Sequence, residues 1–248
     1  TVTMENPDSN LCISCHQGRA STASIDNAIK GLDLDAVPEK ALRFTNIHYF
    51  AAGATLFGNE VQGAYQFPDL TYLGKFNHVP GFNNCTNCHA THELEVKSES
   101  CVTCHAGVEA LSDIRGPLST ADYDGDGDTT EGIAGEIDTF NEKLYAAMQD
   151  YATTVVGKAI LYNPAAYPYF FEDTDGNGEI NGEEAAFTAW TPRLLQAAYN
   201  YQYVQKDPGA FSHNAKYVIQ FLYDTLGSLG QKVTVDMAGM VRPDTPAQ

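Results

Sequence analysis

Cys85-Thr86-Asn87-Cys88-His89-Ala90-Thr91-His92 and, shortly after it, Cys101-Val102-Thr103-Cys104-His105 are the stretch that decides how this chain is built. The same pattern stands near the start as Cys12-Ile13-Ser14-Cys15-His16, and the three copies use all 6 cysteines. Each reads Cys-x-x-Cys-His, the attachment signature of c-type heme. Two thiols add across the heme vinyl groups as thioethers. The two-residue spacer lets both reach one porphyrin edge, and the adjacent histidine faces the iron. A redox dithiol, a zinc site or a six-cysteine disulfide framework are the rival readings. None of them requires a histidine after every pair. One such pattern arises by chance at roughly 1 in 10⁵ positions, so three copies predict three covalently bound hemes.

The chain has 7 histidines. His16, His89 and His105 are the proximal ligands, which leaves His48, His78, His92 and His213 for three sixth positions. Methionine also serves in such sites, but the 4 methionines lie near the two ends or at Met148. Bis-histidine ligation is therefore expected, with one histidine over. His48 lies in Ala41-Leu-Arg-Phe-Thr-Asn-Ile-His48-Tyr-Phe-Ala-Ala-Gly53, which reads as a helix with an apolar face. A core histidine there is the alternative. His78 comes just before the second motif. His92 follows His89 too closely to bind the same iron and is expected to point to a neighbouring heme. His213 stands where a loop enters a helix. The closeness of the second and third motifs predicts neighbouring hemes, and the place of the first is unreadable from spacing.

Two acidic loops stand apart from the cysteines. Asp173-Thr-Asp175-Gly-Asn177-Gly178-Glu179-Ile-Asn181-Gly-Glu183-Glu184 has the full EF-hand ligand spacing: Asp173, Asp175, Asn177, the Glu179 carbonyl, Asn181 and Glu184, with Gly178 at the turn. Asp122-Tyr-Asp124-Gly-Asp126-Gly-Asp128-Thr-Thr-Glu131 starts in the same register but reaches Ile133 at the last ligand position, so Glu131 or Glu136 must substitute from off-register. One or two calcium ions are expected, and a solvated acidic turn is the alternative for each loop. Carboxylates this close repel without a cation, so metal binding would couple to folding.

The 248 residues are 43% hydrophobic, enough for a globular chain, and carry a formal charge of -18. That charge argues against nucleic-acid binding, which needs a basic footprint. No apolar run is long enough to span a membrane. The chain begins Thr1-Val2-Thr3-Met4 without an initiator methionine, as expected if a targeting segment has been removed. Heme attachment of this type belongs outside the cytoplasm, so an extracellular, cell-surface or periplasmic location is expected.

The predicted fold is mainly α with much irregular structure, organised around three covalent hemes and carrying calcium-binding loops. Residues 1–118 form the heme-bearing region and 119–248 a helical region with both acidic loops, integrated with the first. Helices are predicted over 138–160, over 187–204 with Pro192 bending it or marking a boundary, and over 214–226 with Asn214 as cap, and a short strand over 232–235.

The stretch from Asn46 to Gly107 (Asn-Ile-His48-Tyr-Phe-Ala-Ala-Gly-Ala, Tyr72-Leu-Gly-Lys-Phe-Asn-His78, then the second and third motifs) and the segment Pro208-Gly-Ala-Phe-Ser-His213-Asn-Ala-Lys-Tyr resemble multiheme c-type cytochromes of anaerobic, often metal-reducing microbes. The resemblance implies distal or heme-contacting roles for His48, His78, His92 and His213. It also implies electron transfer to redox partner proteins or extracellular acceptors rather than enzymatic turnover. A reductase of a small oxidant such as nitrite or hydroxylamine, with one open distal site, is the alternative. Some cytochromes of this class polymerise through inter-subunit heme ligation. The surplus histidine leaves that homopolymer open beside a discrete carrier.

Overall fold

The computed structural model describes residues 2–93, 95–182 and 184–244. Its helices are α1 (Pro7–His16), α2 (Thr22–Ile29), α3 (Ala52–Phe57), α4 (Cys85–Cys88), α5 (Ser98–Cys101), α6 (Ile133–Tyr151), α7 (Pro192–Gln205) and α8 (Ala210–Leu229). A hairpin pairs β1 (Ile160–Tyr162) with β2 (Phe170–Glu172) antiparallel, Leu161 opposite Phe171. The chain is thus mainly helical with much irregular structure. Among the described residues, no helix is long and apolar enough to cross a membrane.

The long helices α6, α7 and α8 form the centre. α6 buries Ile133, Ile137, Phe140, Leu144, Met148 and Tyr151, at the three- and four-residue spacing of one helix face. α7 is buried from Pro192 to Val204. A helix enclosed on all sides is ordinarily apolar, yet this one carries Arg193, Gln196, Asn200 and Gln202 inside. Their partners explain it. Asn200 Oδ1 accepts from the Tyr65 N–H at 2.7 Å, and its Nδ2 donates to the Tyr65 carbonyl at 3.0 Å. The Tyr199 hydroxyl donates to the Gly63 carbonyl at 2.7 Å, and Gln202 accepts from the Ile47 N–H at 3.3 Å. On α8, Gln220 accepts from the Leu73 N–H at 2.8 Å. Buried irregular backbone must find hydrogen-bond partners, and the helical amides supply them. One core cluster accordingly takes in Ile25, Ile47, Tyr65 and Tyr72 together with the three long helices.

Several local expectations change. Residues 41–50 are extended instead of helical, and His48 takes φ 78°. Phe44 packs on Phe170 and Trp190, with ring centroids 4.7 and 5.6 Å away. Leu42 and Phe44 thus face inward with the period of two that belongs to extended chain. Of its two expected roles Pro192 takes the boundary and opens α7, with Thr191 capping through the Leu194 N–H at 3.2 Å, so that 187–191 lie outside the helix. α8 begins before Asn214 and breaks there (φ −170°, ψ 68°), where the Asn214 amide donates to the Gly74 carbonyl at 3.0 Å. No strand forms over 232–235; the Lys232 and Val233 N–H groups finish the turn of α8 on the Leu229 carbonyl.

From Leu73 to Asp122 no described residue is buried. That stretch holds the second and third cysteine motifs.

Candidate heme-binding site

The first motif lies wholly on α1, the second places both its cysteines on α4 with His89 just past its end, and the third begins at Cys101, the last residue of α5. Asn6 caps α1 by accepting from the Asp8 N–H at 2.9 Å, Pro7 opens it, and His16 ends it. α3 passes so close to that end that a Cβ on Gly53 would lie 3.0 Å from the His16 carbonyl. α4 is one turn long, and the Asn84 N–H donates to Asn87 Oδ1 at 3.1 Å. A tight turn then leads to the third motif. The Ala90 N–H donates to Glu95 and the Lys97 N–H to Cys88, both at 2.8 Å. His92 sits exposed at the tip of this turn.

The three motifs touch in series. The Cys85 N–H donates to Ser9 Oγ of α1 at 3.2 Å. Burial, then the neighbouring Cys85, raises the Cys12 thiol pKa. Burial, then Cys101 and Cys85, raises that of Cys88. The second motif therefore lies between the first and the third, and all six thiols are free of disulfides. The place of the first motif, which spacing left open, is beside the second.

Histidines gather in two facing pairs. The rings of His78 and His105 have centroids 6.1 Å apart with planes 34° from parallel. Those of His89 and His213 are 6.3 Å apart and 32° from parallel. Two imidazoles on opposite sides of one metal ion, each nitrogen about 2 Å from it, place their centroids about 6.3 Å apart. The centroid spacing of each pair equals the one that an intervening metal ion would set. Burial, then the facing His105, lowers the pKa of His78. Burial, then His213 and His16, lowers that of His89. Both effects favour the neutral imidazole that binds a metal. Among the described residues no third pair of histidine rings faces at this spacing; His16 and His48 are exposed, as is His92.

Asp207 gave no signal of its own in the sequence beyond a turn at Asp207-Pro208-Gly209. It is 2% exposed, and its Oδ1 lies 2.8 Å from His213 Nδ1. Burial pulls the His213 pKa down, but the charge and hydrogen bond of Asp207 outweigh it and leave it raised. With the Nδ1 proton held on the carboxylate, Nε2 keeps its lone pair for a metal.

The surroundings fit a large apolar cofactor. Phe76, Val79, Phe82, Val96 and Val102 all stand exposed in the stretch that lacks buried residues. A chain segment with no interior of its own does not repay the entropy of ordering it, whereas porphyrin faces laid on these side chains would supply that interior.

The acidic loops differ from one another. The 173–184 loop is exposed wherever it is described, apart from half-buried Asp173, Ile180 and Glu184. Its ends are clamped by strand-type bonds, Asp173 N–H to Ala159 and Glu172 N–H to Ala185, in place of the flanking helices of an EF-hand. Glu184 accepts from the Asn181 and Gly182 N–H groups at 2.9–3.2 Å. In the 122–131 loop, carboxylate oxygens of Asp122, Asp124 and Asp126 lie within 4.8 Å of one another, as do those of Asp124, Glu131 and Glu136. Asp128 is outside both groups and accepts from the Thr130 N–H at 2.7 Å.

Comparison with known proteins agrees with the cysteine motifs. The chain is 29% identical to the C-type polyheme cytochrome OmcC of Geobacter sulfurreducens over 97% of its own length and 33% of that protein's. It is 30% identical to the C-type polyheme cytochrome OmcB of the same species, over 97% of this chain and 34% of that one. The chain therefore spans about a third of the length of the curated relatives it matches. No family model and no solved structure matches it. By sequence and by the company its cysteines keep, the chain is a distant homologue of the polyheme c-type cytochromes.

Proposed function

We propose that this chain carries three c-type hemes in a row and passes electrons along them outside the cytoplasm. The observation that carries the reading is the pair of facing histidines at 6.1 and 6.3 Å on adjoining motifs. Cys12 and Cys15 with His16 hold the first heme, Cys85 and Cys88 with His89 the second, and Cys101 and Cys104 with His105 the third. His213 completes the second iron and His78 the third. When bound, the hemes supply one-electron ferric–ferrous chemistry. The protein's part is to fix distance and coordination. The series contact of the motifs keeps neighbouring cofactors close, and Asp207 locks the orientation of His213. His89 with His213, and His105 with His78, would hold their hemes in fixed positions, so little of the protein would have to move when an electron passes.

The sixth ligand of the first iron falls to His48, to His92 or to a histidine of another copy, the last of which would link chains into a polymer. Redox proteins or extracellular acceptors are the partners of this reading. The exposure of His16 without a facing histidine supports the second reading, a small-oxidant reductase with an open first iron. The EF-hand spacing of Asp173, Asp175, Asn177, Glu179, Asn181 and Glu184 supports a calcium ion at that loop.

The test is heme quantitation together with near-infrared magnetic circular dichroism of the ferric protein. Three hemes per chain, at least two of them bis-histidine, is the expected result. His78→Ala and His213→Ala should each remove one bis-histidine signature. Fewer than three hemes, or signatures unmoved by both substitutions, overturns the assignment.

A further inference from the structure

Asp124 is 1% exposed, and its Oδ2 is buried without a hydrogen-bond partner. Glu131 Oε1 is likewise buried and unpartnered. Both belong to one group of acidic oxygens, and Asp124 also belongs to the group formed with Asp122 and Asp126. An unpaired carboxylate oxygen inside a protein costs several times what an exposed one does, and facing other carboxylates adds repulsion. A divalent cation removes both costs.

The rest of the loop is already arranged for one. Asp122 accepts from the Gly125 and Gly127 N–H groups at 2.7 and 2.8 Å. Asp124 Oδ1 accepts from the Asp126 N–H at 3.1 Å, which turns Oδ2 inward. Glu136, 0% exposed, is fully engaged elsewhere. It receives hydrogen bonds from the Arg115 guanidinium and from the Tyr123 and Asp124 N–H groups at 2.5–2.8 Å. Arg115 also donates to the carbonyls of Ser119, Ala121 and Glu131. This pair therefore shapes the loop and leaves Glu131 to meet an ion. A Cβ on Gly135 would lie 1.9 Å from Glu131 Oε2, so only glycine in the first turn of α6 leaves room for that carboxylate.

We infer that Asp122, Asp124, Asp126 and Glu131 bind one calcium ion, with the Arg115–Glu136 pair as their frame, and that the ion fastens the 115–131 loop to the start of α6. The departure from EF-hand register has a cause: Ile133, at the twelfth position, is buried as the first residue of α6, so the acidic ligand comes two residues earlier. An oxygen-only set built on a flexible glycine-containing loop suits calcium better than magnesium, which demands a strict octahedron. The same ion would steady the neighbouring chain end. Gly125 would place a Cβ 2.6 Å from the Gly239 backbone, and the Val241 N–H donates to the Tyr123 carbonyl at 2.8 Å.

The experiment uses the heme-loaded chain with Asp173→Asn and Glu184→Gln, which silence the other loop. After chelator treatment, calorimetric titration with calcium should find one ion per chain. Adding Glu131→Gln should weaken binding roughly tenfold or more, as the loss of one charged ligand does. The melting temperature supplies a sign that a merely structural glutamate would not produce. In chelator, Glu131→Gln should melt no lower than its background, because it removes a repelled charge; in excess calcium it should melt lower. Absence of calcium binding by the background overturns the inference. So does an equal loss of stability with and without calcium. Heme content is read on the same samples, so failure of the heme reading is seen separately.

Discussion

Replacing Gly58 by alanine should disturb two of the proposed heme ligands at once. Gly58 takes φ 51° and ψ −125° at the end of α3, a conformation that residues with a side chain rarely adopt. A Cβ there would lie 2.4 Å from the Leu73 carbonyl oxygen, 3.0 Å from that of Gly74 and 3.1 Å from Asn214 Nδ2. Ordinary contact begins at 3.4 Å. The Leu73 carbonyl must then retreat by about 1 Å in a region where backbone is packed on backbone. The irregular segment it belongs to runs on to His78, and Asn214 is the neighbour of His213. Backbone strain costs about 1–3 kcal/mol and overpacking a similar amount, so the substitution should cost about 3 kcal/mol. For a chain of this size that lowers the melting temperature by roughly 6–12 °C. Gly31→Ala is the control, since Gly31 has φ 75° with nothing within 4 Å of its Cβ position. It should cost only the strain, about 1 kcal/mol. Thermal unfolding and magnetic circular dichroism of both variants read the two effects. If Gly58→Ala melts with Gly31→Ala and keeps every bis-histidine signature, the coupling of this glycine to His78 and His213 is wrong.

Asp35→Asn should destabilise by about 2–3 kcal/mol at neutral pH, because it leaves Arg193, whose side chain is 5% exposed, without its carboxylate. The Arg193 hydrogen bond, then those of Tyr151 and Lys232, outweighs burial and holds the Asp35 pKa well below the carboxylate range. Its contribution is therefore complete above the unfolded pKa and fades as pH falls through the folded one. Urea melts of wild type and variant should converge in acid and separate above about pH 5; a constant gap would refute the assignment. Asp207→Asn should raise the reduction potential of the second heme by tens of mV, where about 59 mV marks a tenfold change for one electron. Redox titration checks this, and an unmoved potential would deny Asp207 its positioning role. His92→Ala should leave both facing pairs intact in magnetic circular dichroism; loss of either signature would show that His92 binds an iron assigned here to His78 or His213.

The cysteine motifs were legible because covalent attachment leaves no freedom in residue type or spacing. The facing pairs were not, because His78 and His213 lie 27 and 124 residues from their partners in sequence and only α8 and the extended 73–78 segment bring them in. His48 misled because Leu42, Phe44 and Ile47 suit a helix face as well as an extended strand packed on Trp190. The start of α7 is ambiguous in sequence because Pro192 has two meanings, kink or boundary, and only the Thr191 cap decides for the boundary. The buried amides of Gln196, Asn200, Gln202 and Gln220 are invisible to any hydropathy pattern, since their partners, the Tyr65 hydroxyl for Gln196 and backbone groups for the other three, lie far along the chain.

The region from Leu73 to Asp122 buries none of its described residues, and it is tied to the rest of the fold by α1 through Ser9, by α6 through Glu136 and by α8 through Asn214 and Gln220. If the proposed hemes supply the interior of this region, two of the three attachment sites become fully ordered only as those hemes are attached. A molecule missing its second or third heme then carries a folded helical core with a long cleavable segment attached. Proteolysis would remove such molecules, so the fold itself would act as the check on complete heme loading.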